Sequence, residues 1–231
     1  MKISGSGTLS EMKLDDTISS SGSVRIDGDI ECLGFRSSGS ARGEGNLIIH
    51  GNFKSSGSLG LHGALNVDGN AKSSGSVNIE KQLNVKGKLE SSGSLRVGNG
   101  VEALKGVKFS GSSRVDGGLN SEEDIEIDGS TTIRGDIKAN NVFFGTNAPL
   151  SGRRGVKHPY KVFGKIFAEK ELELINTFVE GDVRGRDVKI GRKTEVTRKV
   201  YYIDSIEIDP KATLAHKPIQ ISEITEDNLI K

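Results

Sequence analysis

The chain has no tryptophan, three tyrosines and a single cysteine in 231 residues. One cysteine excludes an intramolecular disulfide framework. Cys32 falls in an apolar column between Ile30 and Phe35, which reads as core packing rather than a reactive thiol. No run approaches the ~20 apolar residues of a membrane span. The opening MKISGSGTLSEMK lacks the apolar stretch of a secretory leader. These absences predict a cytoplasmic protein. Net charge is only +1, so no global field marks the chain for polyanions. Hydrophobic residues are also sparse at 33%, which leaves disorder or a thin core as the two readings.

What is present decides between them. Gly39, Gly57, Gly75, Gly93, Gly111 and Gly129 recur every 18 residues in Ser-Gly-Ser or Gly-Ser contexts, and Gly5 and Gly22 extend the series one residue short each time. A finer beat of six lies over this. From Leu59 the first column runs Leu65, Ala71, Val77, Leu83, Leu89, Leu95, Val101 and Val107, and continues beyond Ser113 to Phe143. Two residues on, a second column runs Leu61, Val67, Ser73, Ile79, Val85, Ser91, Val97, Ala103 and Phe109. Disordered tracts hold no such register.

Side chains at i and i+2 point the same way from an extended strand. A glycine near i+4 permits a tight corner. Three hexads therefore close one coil, which stacks on the next by parallel pairing about 4.8 Å away. The expected fold is all-β: a triangular parallel β-helix (solenoid) with about 18 residues per coil. Inward Leu83 belongs to its core, and outward Asn84 reads as freely replaceable by Asp.

In chain order, 1–145 reads as regular β-helix, with a tightened corner expected around Gly34 where the register slips by one. Serines decorate one edge, and Ser37, Ser55, Ser73 and Ser91 stack inward. This is expected to be a hydroxyl ladder satisfying corner backbone groups; an ice, glycan or phosphorylation surface is the alternative. The segment 146–160 is a basic loop or linker containing Arg153, Arg154, Lys157 and His158. Residues 161–215 read as a continuing or second β-helix segment, with Val162/Gly164, Ile166/Ala168 and Leu172/Leu174 as inward pairs. Good helix formers in AEKELELI leave a helix over Ile166–Ile175 as the alternative. Residues 216–231 are a tail or cap.

Chemistry is sparse. No glycine-rich phosphate loop followed by Lys-Ser or Lys-Thr occurs. A solenoid acyltransferase or carbonic anhydrase is the enzymatic rival, but the four histidines, His50, His62, His158 and His216, are not spaced to converge on one metal. No catalytic residue, metal site, cofactor or small-molecule substrate is expected. Arg184, Arg186, Lys189, Arg192, Lys193, Arg198 and Lys199 crowd into 16 residues and form the candidate contact for an anionic membrane surface. No aromatics alternate with them as stacking platforms, so no nucleic-acid partner is expected.

The segments SSGSVRIDGDI, SSGSVNIEKQLNVKG, SSGSLRVGNGVEA and FSGSSRVDG, with FVEGDVRGRDVKIG and VYYIDSIEI later, resemble the bactofilin group of polymer-forming cytoskeletal proteins over about residues 3–214. The resemblance implies a right-handed triangular β-helix that stacks end to end into nucleotide-free filaments and scaffolds envelope processes, often at the membrane. This chain is longer than many members, carries the loop at 146–160 and starts without a hydrophobic patch. The partner then expected is a second copy of the chain. No capping helix precedes the first coil, which makes Ile3 and Leu9 the candidate self-assembly residues. A monomeric or dimeric interaction module is the competing non-enzymatic reading.

Overall fold

The computed structural model describes residues 1–147 and 159–223. They form an all-β parallel solenoid of about 12 turns. Each regular coil has three strands, exemplified by Phe53–Ser55 on the first side, Ser58–Leu61 on the second and Leu65–Val67 on the third. Every strand pairs in parallel with its counterpart one coil away, as Leu83–Val85 does with Leu65–Val67 below and Val101–Ala103 above. Among the described residues no helix is long and apolar enough to cross a membrane.

The alternation is the cause of the fold. Leu47, Leu65, Leu83, Val101, Leu119, Ile137, Ile166, Val183 and Val200 sit one above another on the third side. All nine are at most 2% exposed. No coil buries these side chains alone, so stability depends on neighbours. Phe35 stacks on Phe53, with ring centroids 6.0 Å apart. Cys32 is fully buried, and burial pushes its thiol up to about 11.

The 18-residue recurrence of glycine has a steric origin. A Cβ on Gly93 would be driven into the carbonyl oxygen of Gly75 one coil below. The corner amide still donates downward, from Ser94 N to Gly75 O at 3.0 Å. Only glycine lets the coils approach to hydrogen-bonding distance here. The serines do less than expected. Ser73 Oγ donates to Ser91 Oγ at 3.0 Å, yet the buried hydroxyls of Ser37, Ser55 and Ser113 have no partner. At this corner the backbone groups are met mostly by other backbone groups, such as Ser56 N on Ser37 O at 2.8 Å, with serine hydroxyls adding Ser20 Oγ on Gly22 O at 3.4 Å and Ser38 Oγ on Ser20 O at 3.5 Å.

Register slips occur at corners. Cys32 pairs with Ile49, but Phe35 pairs with Phe53, so only Leu33 and Gly34 turn the corner where three residues turn the next one. This is the tight corner expected near Gly34, and it pushes Leu33 outward to 48% exposure. A second short corner, Asn140–Asn141, corrects the sequence reading of Phe143. Val142 and Phe144 are fully buried, while Phe143 lies outward over Glu126.

The strand Tyr160–Val162 pairs with Thr131–Ile133, and Ile166–Ala168 pairs with Ile137–Ala139. The second segment therefore continues the same stack. Its first inward pair is Tyr160/Val162 rather than Val162/Gly164, because Gly164 forms the corner against Gly135. The residues expected as a basic loop, Arg153, Arg154, Lys157 and His158, lie outside the described residues. The alternative helix over Ile166–Ile175 is absent: Ile166–Ala168 and Glu171–Leu174 are strands. Pairing to the coil below overrides local propensity here. Asn84 also differs from expectation, since its Nδ2 donates to Asn66 Oδ1 at 2.8 Å. Of the tail, Ile219–Gln220 pairs with Tyr201–Tyr202, and 224–231 lie outside the described residues.

Candidate functional surfaces

The two ends of the stack differ from its middle. The partly buried apolar residues that pack against the core are Ile3, Met12 and Leu14 at one end, and Tyr202, Ile206, Ala212 and Leu214 at the other. Ile208 and Ile219 are 40% and 38% exposed at the second end. Between them the core is closed. Of the two self-assembly candidates, Ile3 sits at the first end and is half-buried, but Leu9 is 1% exposed and already belongs to the core. The sequence placed Leu9 at an open edge. In the folded coil it is stacked beneath Ile26 and shielded, so it offers no surface to a partner.

The outward columns carry charge ladders. On the first side Lys72 meets Glu90 at 2.9 Å and Lys108 meets Glu126 at 2.6 Å. Further up, Lys189 lies 3.5 Å from Glu173 and 4.0 Å from Glu207. At the corner between the third and first sides, His50 is held between two carboxylates. Its Nε2 is 2.6 Å from Glu31 and its Nδ1 is 2.9 Å from Asp68. Glu31 first, then Asp68, raises the imidazole above its ordinary value. Lys13 and His50 hold Glu31 below the usual carboxylate range, and Lys86 and His50 do the same for Asp68. At the corner between the second and third sides His62 is likewise raised, by Glu80 at 2.8 Å and more weakly by Glu44.

These histidines occupy different corners, each occupied by its own acids. Among the described residues no group of three or more His, Cys, Asp or Glu could hold a metal ion. His158 lies outside the described residues, and His216 is exposed.

The seven clustered cations do not form one surface. Arg184 lies on the third side, 6% exposed, with its guanidinium 4.6 Å from the Tyr201 ring centroid. Arg186 turns the following corner and pairs with Asp204 at 2.9 Å. Lys189 belongs to the first-side ladder. Arg192 and Lys193 are exposed at the corner after Ile190, and Arg198 and Lys199 at the corner after Val196. Closeness in sequence becomes separation around the triangle, because a coil turns through all three sides within about 18 residues. The sequence therefore grouped residues that the solenoid distributes.

Missed in the sequence was a different column, Lys2, Arg36, Lys54 and Lys72, whose members recur at intervals of one or two coils on the first side. The coil period itself was the signal that could have found it. No protein-family model matches the chain, and neither a curated protein nor a solved structure matches it.

Proposed function

We infer that the protein is a non-catalytic structural element that assembles with copies of itself end to end, in the manner the bactofilin resemblance implies, as a cytoplasmic scaffold. The observation that carries this reading is the confinement of half-buried core-contacting apolar residues to the first and last coils. A solenoid end also presents strand edges whose backbone groups lack a partner on one side, and such edges template further pairing. Like ends meeting about a two-fold axis form a closed, self-complementary junction.

The test is the assembled mass by light scattering and electron microscopy at matched concentration. The unsubstituted protein is expected to form long particles. Ile208→Lys blocks one end and leaves dimers joined at the other, and Ile208→Lys combined with Ile3→Lys gives monomers with an unchanged β spectrum. Leu9→Lys is unsuitable, because it places a charge in the core. A wild-type monomer at high concentration, or a doubly substituted protein of unchanged mass, refutes end-to-end assembly and favours a monomeric interaction module.

A further inference from the structure

The first side changes character along its length. From Lys72 upward its outward column runs Lys72, Glu90, Lys108, Glu126, then Phe143, Glu173, Lys189 and Glu207. Acid and base alternate there and pair. Below Lys72 the same column runs Lys54, Arg36, Ser19 and Lys2, without one acid. Arg36 stands in register under Lys54, and Lys54 under Lys72. Like charges directly opposite on neighbouring strands are unfavourable.

Among the described residues two other in-register cation pairs exist, and each has a carboxylate beside it. Arg25, under Arg42, meets Asp27 at 2.6 Å. Arg96 and Arg114 share Asp116 at 3.9 Å and 3.0 Å. Lys2, Arg36 and Lys54 are exposed and make no ion pair or side-chain hydrogen bond among the described residues. They border a surface groove of about 330 Å³ whose far wall is the serine corner, including Ser21, Ser38 and Ser56. The corner before this side carries Asp15, Asp16 and Asp68, but Asp16 is paired with the N-terminal amine and Asp68 with His50 and Lys86; beside Lys54 and Lys72 stand the neutral Asn52 and Asn70, where Asn52 Oδ1 accepts the Asn70 amide at 2.8 Å.

We propose that this column is a binding site for a linear polyanion bearing repeated phosphate groups, lying along the solenoid axis between the cations and the serine hydroxyls. The cations are spaced by one or two strand separations of about 4.8 Å, so the site is a line rather than a broad patch. Hydroxyls on the rim match phosphate oxygens as hydrogen-bond acceptors. Phe35 and Phe53, the nearest rings on this side, are buried inward, so no platform is offered for stacking a nucleobase. The bound anion supplies the countercharge that Glu90 and Glu126 supply higher up. The site is complete in one chain and does not depend on end-to-end assembly.

The experiment is calorimetric titration of the full chain with inorganic polyphosphate at two salt concentrations, beside a thermal melt. Arms with phosphatidylglycerol vesicles and a single-stranded oligonucleotide separate the other anionic partners. Polyphosphate is expected to bind more tightly at low salt and to raise the melting temperature. Lys54→Glu is expected to weaken binding about tenfold, the order expected for reversing one of the three groove cations facing a polyanion. It should leave the melting temperature unchanged or higher, because Arg36, Glu at 54, Lys72 and Glu90 then alternate. Lys161→Glu, the same charge change on the second side, should alter affinity by less than about twofold. Equal weakening by both substitutions would mean that bulk charge alone is read and overturns the site. Binding to vesicles or oligonucleotide without binding to polyphosphate overturns it as well.

Discussion

Gly93→Ala tests the reason for the repeat. The added methyl meets the carbonyl oxygen of Gly75 and the backbone of Ser74, neither of which can rotate away as a side chain could. The coils must separate locally. The bonds most exposed to this are Ser92 N to Ser73 O at 2.9 Å and Ser94 N to Gly75 O at 3.0 Å. Weakening two backbone bonds at this corner costs about 1–3 kcal/mol. Shifting the stacked, nearly buried Val77 and Leu95 adds overpacking strain of about 1 kcal/mol or more. Gly93→Ala should therefore destabilise the solenoid by about 2–4 kcal/mol. Gly60 supplies the control: it lies within the strand Ser58–Leu61, and a Cβ there meets nothing within 4 Å. Gly60→Ala should be neutral or stabilise by up to about 1 kcal/mol, through the unfolded chain. Urea unfolding gives the global effect. Amide exchange at Ser94 and Ser112 localises it, since a coil communicates chiefly with its neighbours. Equal effects of the two substitutions would falsify the claim that contact between stacked corners sets the 18-residue period.

His50 has a raised folded-state pKa, so its contribution to stability is full below its ordinary value of 6.5 and disappears as pH rises through the raised value. The gap in urea midpoint between wild type and His50→Gln should be widest near about pH 5 and close by about pH 8, because Glu31 and Asp68 remain ionised throughout; a constant gap refutes the assignment. Asn84→Asp removes the donor to Asn66 Oδ1 and sets a carboxylate against that oxygen, so it should cost about 1 kcal/mol in urea unfolding rather than being silent. An unchanged midpoint would show that the amide pair contributes nothing.

The inward half of this fold is written openly, because core burial imposes a period of two within each strand and steric contact imposes glycine at each stacked corner. Leu83 and Gly93 are identifiable from spacing alone. Corners are less legible, since losing one residue there reverses which side chains face inward. Asn140–Asn141 is one residue shorter than the equivalent corner below it, and that alone turns Phe143 out and Val142 and Phe144 in. Nothing in the identity of Phe143 announces this, as aromatic residues suit either position. Leu9 was misjudged for another reason: an end coil has an open edge, but its inward side chain can still be covered, here to 1% exposure.

The outward half obeys a different adjacency. On a helix, charges three or four residues apart are neighbours, and a basic run is a basic surface. In a solenoid the next residue along an outward column is a full coil away, so Arg184 and Arg192 stand on different parts of the triangle while Arg36 and Lys54 touch the same solvent. The local cluster of seven cations dissolves on folding, and a column of four, dispersed from Lys2 to Lys72, assembles. Two consequences follow for charge in this architecture. Alternating signs at the coil period stabilise the stack whatever the intervening sequence, as Lys72, Glu90, Lys108 and Glu126 do. A break in that alternation costs stability in the isolated chain, so an unbalanced column points to a countercharge supplied from outside. The lower first side has such a column, and Lys54→Glu separates its cost to the fold from its use.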